Sequence, residues 1–199
     1  MTDMLYGRLE ELSLELPKVA VVAGVGGVGY YVALQLILDG VERIYLFDED
    51  KLEEHNRTRI PFSRDDVGKY KVDLMKEYGE KLRPELFIFA RREWATPESL
   101  GGMTVDLLMD CTDKLESQKA LSKWAKQNKT KYIRVGCTTN HITTTNHVGG
   151  WTTKAGQEDE RCGVTIPSHV SPCMIAAGYG MMKAAVNKEL EVSRDVSVE

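Results

Sequence analysis

The segment VAVVAGVGGVGYYVALQLILDG, residues 19–40, constrains the fold more than any other part of the chain. Its apolar start, Val19–Ala23, predicts a buried strand, and residues 29–39 predict a helix with Gly40 at the C′ position. Four glycines lie at or next to the turn between them: Gly24, Gly26, Gly27 and Gly29. Glycine lets backbone N–H groups and a helix N-terminus approach a phosphate closely. The segment therefore predicts a phosphate-binding turn, suited to a dinucleotide such as NAD or to ATP.

Strand and helix patterns alternate after this segment. Residues 43–50, 86–92, 105–113 and 131–137 predict strands, and residues 69–84 and 114–128 predict helices. Such alternation favours an α/β, Rossmann-like doubly wound fold with a mostly parallel sheet.

The remaining segments are assigned as follows. Residues 138–151 predict an antiparallel edge strand or hairpin. A C-terminal helix follows, with Ser171 as N-cap, Pro172 at the first helical position and a face of small residues, Ala176, Ala177 and Gly180. We expect one domain over residues 1–199, with a helical segment at 1–17 and a frayed tail at 191–199.

Composition narrows the choice of partners and compartment. The net charge of -4 gives no general electrostatic reason to bind nucleic acid, so a nucleic-acid partner is not expected. No secretory signal or membrane-length apolar run is present, which favours a cytoplasmic protein without membrane contact. The four cysteines never form a CxxC pair, so the sequence offers no zinc-site spacing and predicts free thiols.

Polar residues after the second strand bear on the choice between NAD and ATP. Asp48 ends that strand, where a carboxylate can accept hydrogen bonds from ribose hydroxyls. Beyond it lie Asn56, Arg59 and Lys71. Cations at these positions suit a reaction that expels pyrophosphate, because charge accumulates on the leaving group. Surface charge is the alternative for Arg59 and Lys71 taken singly.

The fourth strand ends in MDCTDK, which places Asp110 and Asp113 at the carboxyl edge of the sheet. A carboxylate there can hold Mg²⁺ that bridges phosphate oxygens, and Asp113 is the candidate. The alternative role for Asp113 is the N-cap of the following helix.

These motifs, in the order GVGGVG, LFDEDKLEEHNRTR, VGKYK, MDCTD and SPCMIAAGYGMMKA, resemble the ubiquitin-activating-enzyme-like superfamily, the ThiF/MoeB group of adenylyltransferases. The similarity runs from Val19 to Lys188. The resemblance implies that the four glycines and Asp48 bind ATP, that Asn56, Arg59 and Lys71 contact its phosphates, and that Asp113 organises magnesium.

The resemblance also implies the reaction. A ubiquitin-like or sulfur-carrier protein ending in Gly-Gly would be activated at its C-terminal carboxylate as an acyl-adenylate, with release of pyrophosphate. Members of the group commonly form dimers, so we expect a homodimer.

The chain departs from the family pattern at several points. Lys114 stands where the family has asparagine, and could contact phosphate or face solvent. The paired CxxC elements are missing, so no structural zinc is expected.

Cys162 is the candidate for taking over the activated carboxylate, with an ordinary loop thiol as the alternative. Arg8 is better explained as a surface residue than as one reaching into a partner's site. Packing or solvent exposure likewise explains Cys137, His141 and His147 better than a metal site does.

Two other classes of function stay open at this stage. One is an NAD(P)-dependent Rossmann oxidoreductase that uses the same glycine turn, although Arg59 and Lys71 would then have no task. The other is a non-catalytic scaffold of the same fold that binds nucleotide or a ubiquitin-like partner. Within the family, activation of a carbonyl group on RNA is a further alternative, which the acidic chain disfavours.

Overall fold

The computed structural model describes residues 16–137, 141–145, 170–185 and 196–197. Its core is a seven-stranded sheet in the order β3-β2-β1-β4-β5-β6-β7. The strands are β1 Val19–Ala23, β2 Arg43–Phe47, β3 Phe87–Arg91, β4 Leu107–Asp110, β5 Lys131–Cys137, β6 His141–Thr145 and β7 Val196–Ser197. Strands β1 to β5 run parallel, and β6 and β7 are antiparallel additions at one edge.

Five α-helices cover the two faces of the sheet. They are α1 Gly27–Leu38, α2 Lys71–Leu82, α3 Pro97–Leu100, α4 Leu115–Gln127 and α5 Val170–Ala185. One face packs against α1, α2 and α5, and the other packs against α3 and α4. Strand β1 is buried from both sides because Val21 faces one core and Val22 the other. The doubly wound, mostly parallel fold predicted from alternation is therefore confirmed.

The predicted helix and strand positions hold, with shifts at their ends. Helix α1 begins at Gly27 rather than at Gly29, so one more glycine, Gly27, belongs to its first turn. Gly40 has φ 79°, as expected for a C′ residue. Ser171 as an N-cap is wrong, because α5 already begins at Val170.

The small-residue face of α5 is confirmed and lets the helix approach the sheet closely. Ala176 and Ala177 are fully buried. A methyl group at Gly180 would lie only 2.4 Å from Val135 Cγ2 on β5. A larger residue at position 180 would therefore push α5 off the sheet.

The ends of the chain are described only in part. Residues 196–197, inside the tail predicted to be frayed, pair with His141 and Ile142 of β6. The N-terminal segment lies outside the described residues up to position 15, and the single-domain assignment stays a prediction. In the described part of the chain, no helix combines the length and the apolar character needed to cross a bilayer.

Candidate functional site

The glycine turn between β1 and α1 is held by close backbone packing. Gly24 has φ 85°, a conformation that favours glycine. Its N–H donates to the carbonyl of Phe47 at 2.8 Å, and a methyl group on it would meet the Cys111 carbonyl oxygen at 3.1 Å. At Gly29 a methyl carbon would lie 1.8 Å from the Gly24 carbonyl oxygen. Gly24 and Gly29 thus fix the shape of the turn.

Gly26 and Gly27 differ from these two because they border the open end of helix α1. Gly26 is the N-cap and provides no side-chain capping bond. No atom lies within 4 Å of the position that a methyl group on Gly26 would take. The first N–H groups of a helix have no intrahelical acceptor and carry the positive end of its dipole. This end of α1 is therefore shaped to receive an anion.

Arg59 adds a full positive charge at the same place. Its Cδ lies 2.8 Å, and its Nε 3.1 Å, from the position of a methyl carbon on Gly27. The Tyr31 hydroxyl of α1 donates to the Arg59 carbonyl at 3.0 Å and ties this residue to the helix. A guanidinium at a helix N-terminus can bind a phosphate through charge-assisted hydrogen bonds.

Asn56 positions the short segment that carries Arg59. It is 5% exposed and lies in the 3-10 helix Glu54–Thr58. Its Oδ1 accepts the Glu53 N–H at 3.0 Å, and its carbonyl accepts the Arg59 N–H at 3.0 Å. The predicted phosphate contact of Asn56 stays a prediction, since its side-chain oxygen caps the 3-10 helix.

Asp48 links the end of β2 to the glycine turn. Its Oδ2 accepts the Val25 N–H at 2.7 Å and its Oδ1 accepts the Asp50 N–H at 2.8 Å. Burial raises the pKa of Asp48, while the charge of Lys71 and these two backbone donors act in the opposite direction. The carboxylate thus lies next to the glycine turn, at the carboxyl edge of the sheet where a ribose is expected.

Lys71 is the first residue of α2 and is only 7% exposed. Its Nζ lies 2.7 Å from Asp50 Oδ2, and its backbone N–H donates to the Asp50 carbonyl at 3.1 Å. Asp50 was not among the predicted site residues, although its position two residues after Asp48 is a usable signal. The pair places a cation within electrostatic range of Asp48.

Asp113 lies three residues after the end of β4, the strand whose following residue, Cys111, packs against Gly24 of the glycine turn. Its side chain is exposed, and helix α4 begins at Leu115 with Lys114 at its N-cap position. The alternative role of Asp113 as N-cap is therefore wrong. Lys114 Nζ lies 4.5 Å from the centroid of the Trp94 ring, a cation–π contact that the sequence did not suggest.

A buried polar network underlies the Asp113 turn, and sequence reasoning missed it. Asp110 is fully buried, accepts both the N–H and the hydroxyl of Thr112 through Oδ1, and accepts the Tyr132 hydroxyl at 2.7 Å through Oδ2. Gln118 Nε2 donates to the Thr112 carbonyl at 2.6 Å. Burial raises the pKa of Asp110 and lowers that of Arg134, its neighbour on β5, to about 10. The network fixes the turn between Asp110 and Asp113.

The structure tests the remaining candidates for metal or thiol chemistry only in part. Cys162, His147 and Arg8 lie outside the described residues. Over residues 16–137, 141–145, 170–185 and 196–197, no group of three or more His, Cys, Asp or Glu side chains could hold a metal ion. An Mg²⁺ ion at Asp113 would thus take its other ligands mainly from phosphate and water, as this ion commonly does.

The fold and the glycine turn together define a Rossmann-like α/β fold with the open N-terminus of α1 at the carboxyl edge of its sheet. The ThiF family profile matches residues 7–184, and the chain belongs to the ThiF family. The resemblance drawn from the motifs is thereby confirmed.

Curated relatives carry the names of an activating enzyme, an adenylyltransferase and a dehydratase. Ubiquitin-like modifier-activating enzyme 5 of Bombyx mori is 29% identical over 63% of this chain and 35% of its own length. Adenylyltransferase and sulfurtransferase uba4 of Aspergillus niger is 36% identical over 58% of this chain and 24% of its own. The tRNA threonylcarbamoyladenosine dehydratase 1 of Saccharomyces cerevisiae is 32% identical over 57% of this chain and 28% of its own length. The chain thus spans between a quarter and about a third of these relatives.

Among solved structures, E. coli MccB with ATP is similar, with a TM-score of 0.65 and 23% identity. The match covers 80% of this chain and 52% of that one. It supports the fold assignment and no finer conclusion.

Proposed function

We propose that the protein is an ATP-dependent adenylyltransferase that activates the C-terminal glycine carboxylate of a ubiquitin-like or sulfur-carrier protein. The observation that carries the proposal is Arg59, whose side chain lies against Gly27 at the open N-terminus of α1. The turn thus combines free N–H donors with a fixed cation. An NAD(P)-dependent oxidoreductase has no need of this cation, because the pyrophosphate of a dinucleotide is already held by the turn.

In the proposed reaction a carboxylate oxygen of the carrier attacks the α-phosphorus of ATP. A new oxygen–phosphorus bond forms while the bond from the α-phosphorus to the bridging oxygen breaks, and that electron pair leaves with pyrophosphate. Arg59, Lys71 and the first N–H groups of α1 meet the charge that accumulates on the leaving group. Asp48 holds the ribose, and Asp113 would hold Mg²⁺, which neutralises phosphate charge when bound.

ATP–pyrophosphate exchange tests this proposal. With a carrier ending in Gly-Gly, the protein should catalyse exchange, and Arg59→Ala should lower the rate by about 10²-fold, as removal of one charge-stabilising donor commonly does. Arg57→Ala is the matched control, because Arg57 lies in the 3-10 helix that Arg59 directly follows but pairs with Glu54 and the Phe62 carbonyl.

The outcomes separate the alternatives. Equal rates in the two variants would contradict the role of Arg59. Nucleotide binding without exchange would select a non-catalytic scaffold, and NAD binding tighter than ATP would select the oxidoreductase. Exchange that requires tRNA rather than a protein carrier would replace the protein substrate with RNA.

We propose further that the Cys162 sulfur attacks the acyl carbon of the adenylate, so that a thioester forms while the bond to the phosphate oxygen breaks and AMP leaves. The support is its sequence position eight residues before helix α5, in a segment outside the described residues. The wild-type protein incubated with carrier and ATP should give a thiol-sensitive band on a non-reducing gel, and Cys162→Ser should abolish it without stopping exchange. A band that persists in Cys162→Ser would exclude this role.

We also propose that the protein acts in the cytoplasm, as expected from its sequence. We further propose that it forms a homodimer. Its support is the exposed apolar side of α5, where Met174, Ile175, Tyr179 and Met182 are 43–61% exposed in the described chain. Single exposed apolar residues are common, but a contiguous group indicates an interaction surface.

A further inference from the structure

Two cysteine sulfurs meet where helix α5 packs on strand β5. Cys137 is the last residue of β5, and Cys173 lies in the first turn of α5. Their Sγ atoms are 3.9 Å apart, and neither sulfur is in a disulfide. The close approach of α5 to β5 at Gly180 holds the two elements together, so this distance is a property of the core packing.

Cys173 also contacts the anion site. Its Sγ lies 2.8 Å from the position of a methyl carbon on Gly27, as does Arg59 Cδ. The thiol and the arginine therefore share the space above the first turn of α1. Both groups thus border the space above Gly27, so the position of the Cys173 sulfur affects the room left there for Arg59.

We propose that Cys137 and Cys173 form an oxidisable pair whose disulfide weakens nucleotide binding at the glycine turn. The oxidant is a peroxide. Cys137, which is partly exposed, is oxidised first: its sulfur takes one peroxide oxygen to give a sulfenic acid, and the O–O bond breaks with release of water. The Cys173 sulfur then attacks the sulfenic sulfur, the S–O bond breaks, and a second water leaves.

Bond formation requires movement at the anion site. The sulfurs must close from 3.9 Å to a bond of about 2.05 Å. Such a displacement moves the Cys173 sulfur relative to Gly27 and changes the space that Arg59 also borders. The second half of the inference rests on the proposed ATP site, whereas formation of the disulfide does not.

Cys111 supplies a matched control within the same sheet. Burial and the neighbouring Asp110 raise the pKa of its thiol well above 9.0. Because the thiolate is the reactive form, this shift lowers the reactivity of Cys111 with peroxide, although its exposure is similar to that of Cys137.

The experiment treats the full chain with hydrogen peroxide, then digests it without reduction and maps disulfides by mass spectrometry. ATP binding is measured by calorimetry before oxidation, after oxidation and after dithiothreitol. A peptide joining Cys137 to Cys173 should appear, and the dissociation constant should rise roughly tenfold, as expected for one weakened charge-assisted contact, and return on reduction. Cys137→Ser should abolish both effects, and Cys111→Ser should retain both.

Each other result overturns part of the inference. A map in which Cys137 and Cys173 stay unlinked, or are linked only to Cys162, overturns the pair. A Cys137–Cys173 disulfide with unchanged ATP affinity overturns the coupling to the anion site. If the reduced protein binds no ATP, the proposed function fails together with the coupling, while the map still decides whether the pair is oxidisable.

Discussion

At the scale of single residues, the four glycines of the turn divide into two kinds with opposite consequences. Gly29→Ala places a methyl carbon 1.8 Å from a backbone oxygen and should lower the free energy of unfolding by about 3 kcal/mol, the upper end of overpacking costs. Gly26→Ala meets no atom within 4 Å and should leave stability nearly unchanged, but it fills the space where a phosphate would lie. Urea denaturation and ATP calorimetry on both variants test this. Equal loss of stability in the two would contradict the division.

The glycine turn and Asp48 were predicted because each follows a strand that was evident from hydrophobic periodicity. Arg59 and Lys71 were predicted as cations beyond Asp48 and through the family resemblance. It did not predict that the Asn56 oxygen caps a 3-10 helix or that Lys114 lies over Trp94. Such contacts depend on loop conformation and on residues far along the chain, which periodicity does not report.

At the scale of elements, the turn after β4 depends on a hydroxyl from β5. Tyr132→Phe removes the hydrogen bond to the fully buried Asp110 and should cost about 1–3 kcal/mol of unfolding free energy at neutral pH. Tyr78→Phe, on the exposed side of α2, is the control and should cost much less.

The same variant has a predicted pH dependence. The pKa of Asp110 is raised above 3.8 in the folded protein, so its contribution to stability is full below 3.8 and is lost as the pH rises through the folded value. The Tyr132 hydroxyl lowers this pKa, and Tyr132→Phe should raise it further. The loss of unfolding free energy in Tyr132→Phe relative to the wild type should therefore be largest at neutral pH and smaller in acid. A deficit independent of pH in urea titrations would exclude this account.

Element boundaries were the least predictable part of the fold. The start of helix α5 was predicted two residues late, at Pro172 instead of Val170, because Ser171 followed by Pro172 is a common N-terminal signal. The signal identifies the first turn without fixing its first residue. The short helix α3 was missed, although Thr96 and Ser99 form a capping box around Pro97.

At the scale of the whole molecule, the proposed dimer predicts a concentration-dependent mass. Sedimentation should give twice the chain mass of 22.4 kDa at micromolar concentration. Met182→Glu, at a position 61% exposed on α5, should shift the protein to monomer without loss of helical signal, because a charge buried in an interface is costly. A monomer at every concentration in the wild type would contradict the proposal.

The contact between Gly24 and Cys111 has a consequence for biosynthesis. Cys111 follows β4, and its carbonyl packs against Gly24 only when β4 lies beside β1. A nascent chain that ends before β4 carries the glycines, Asp48 and Arg59 but lacks this backbone contact. On the proposed function, nucleotide would meet a fully supported turn only after the chain through Cys111 has emerged from the ribosome.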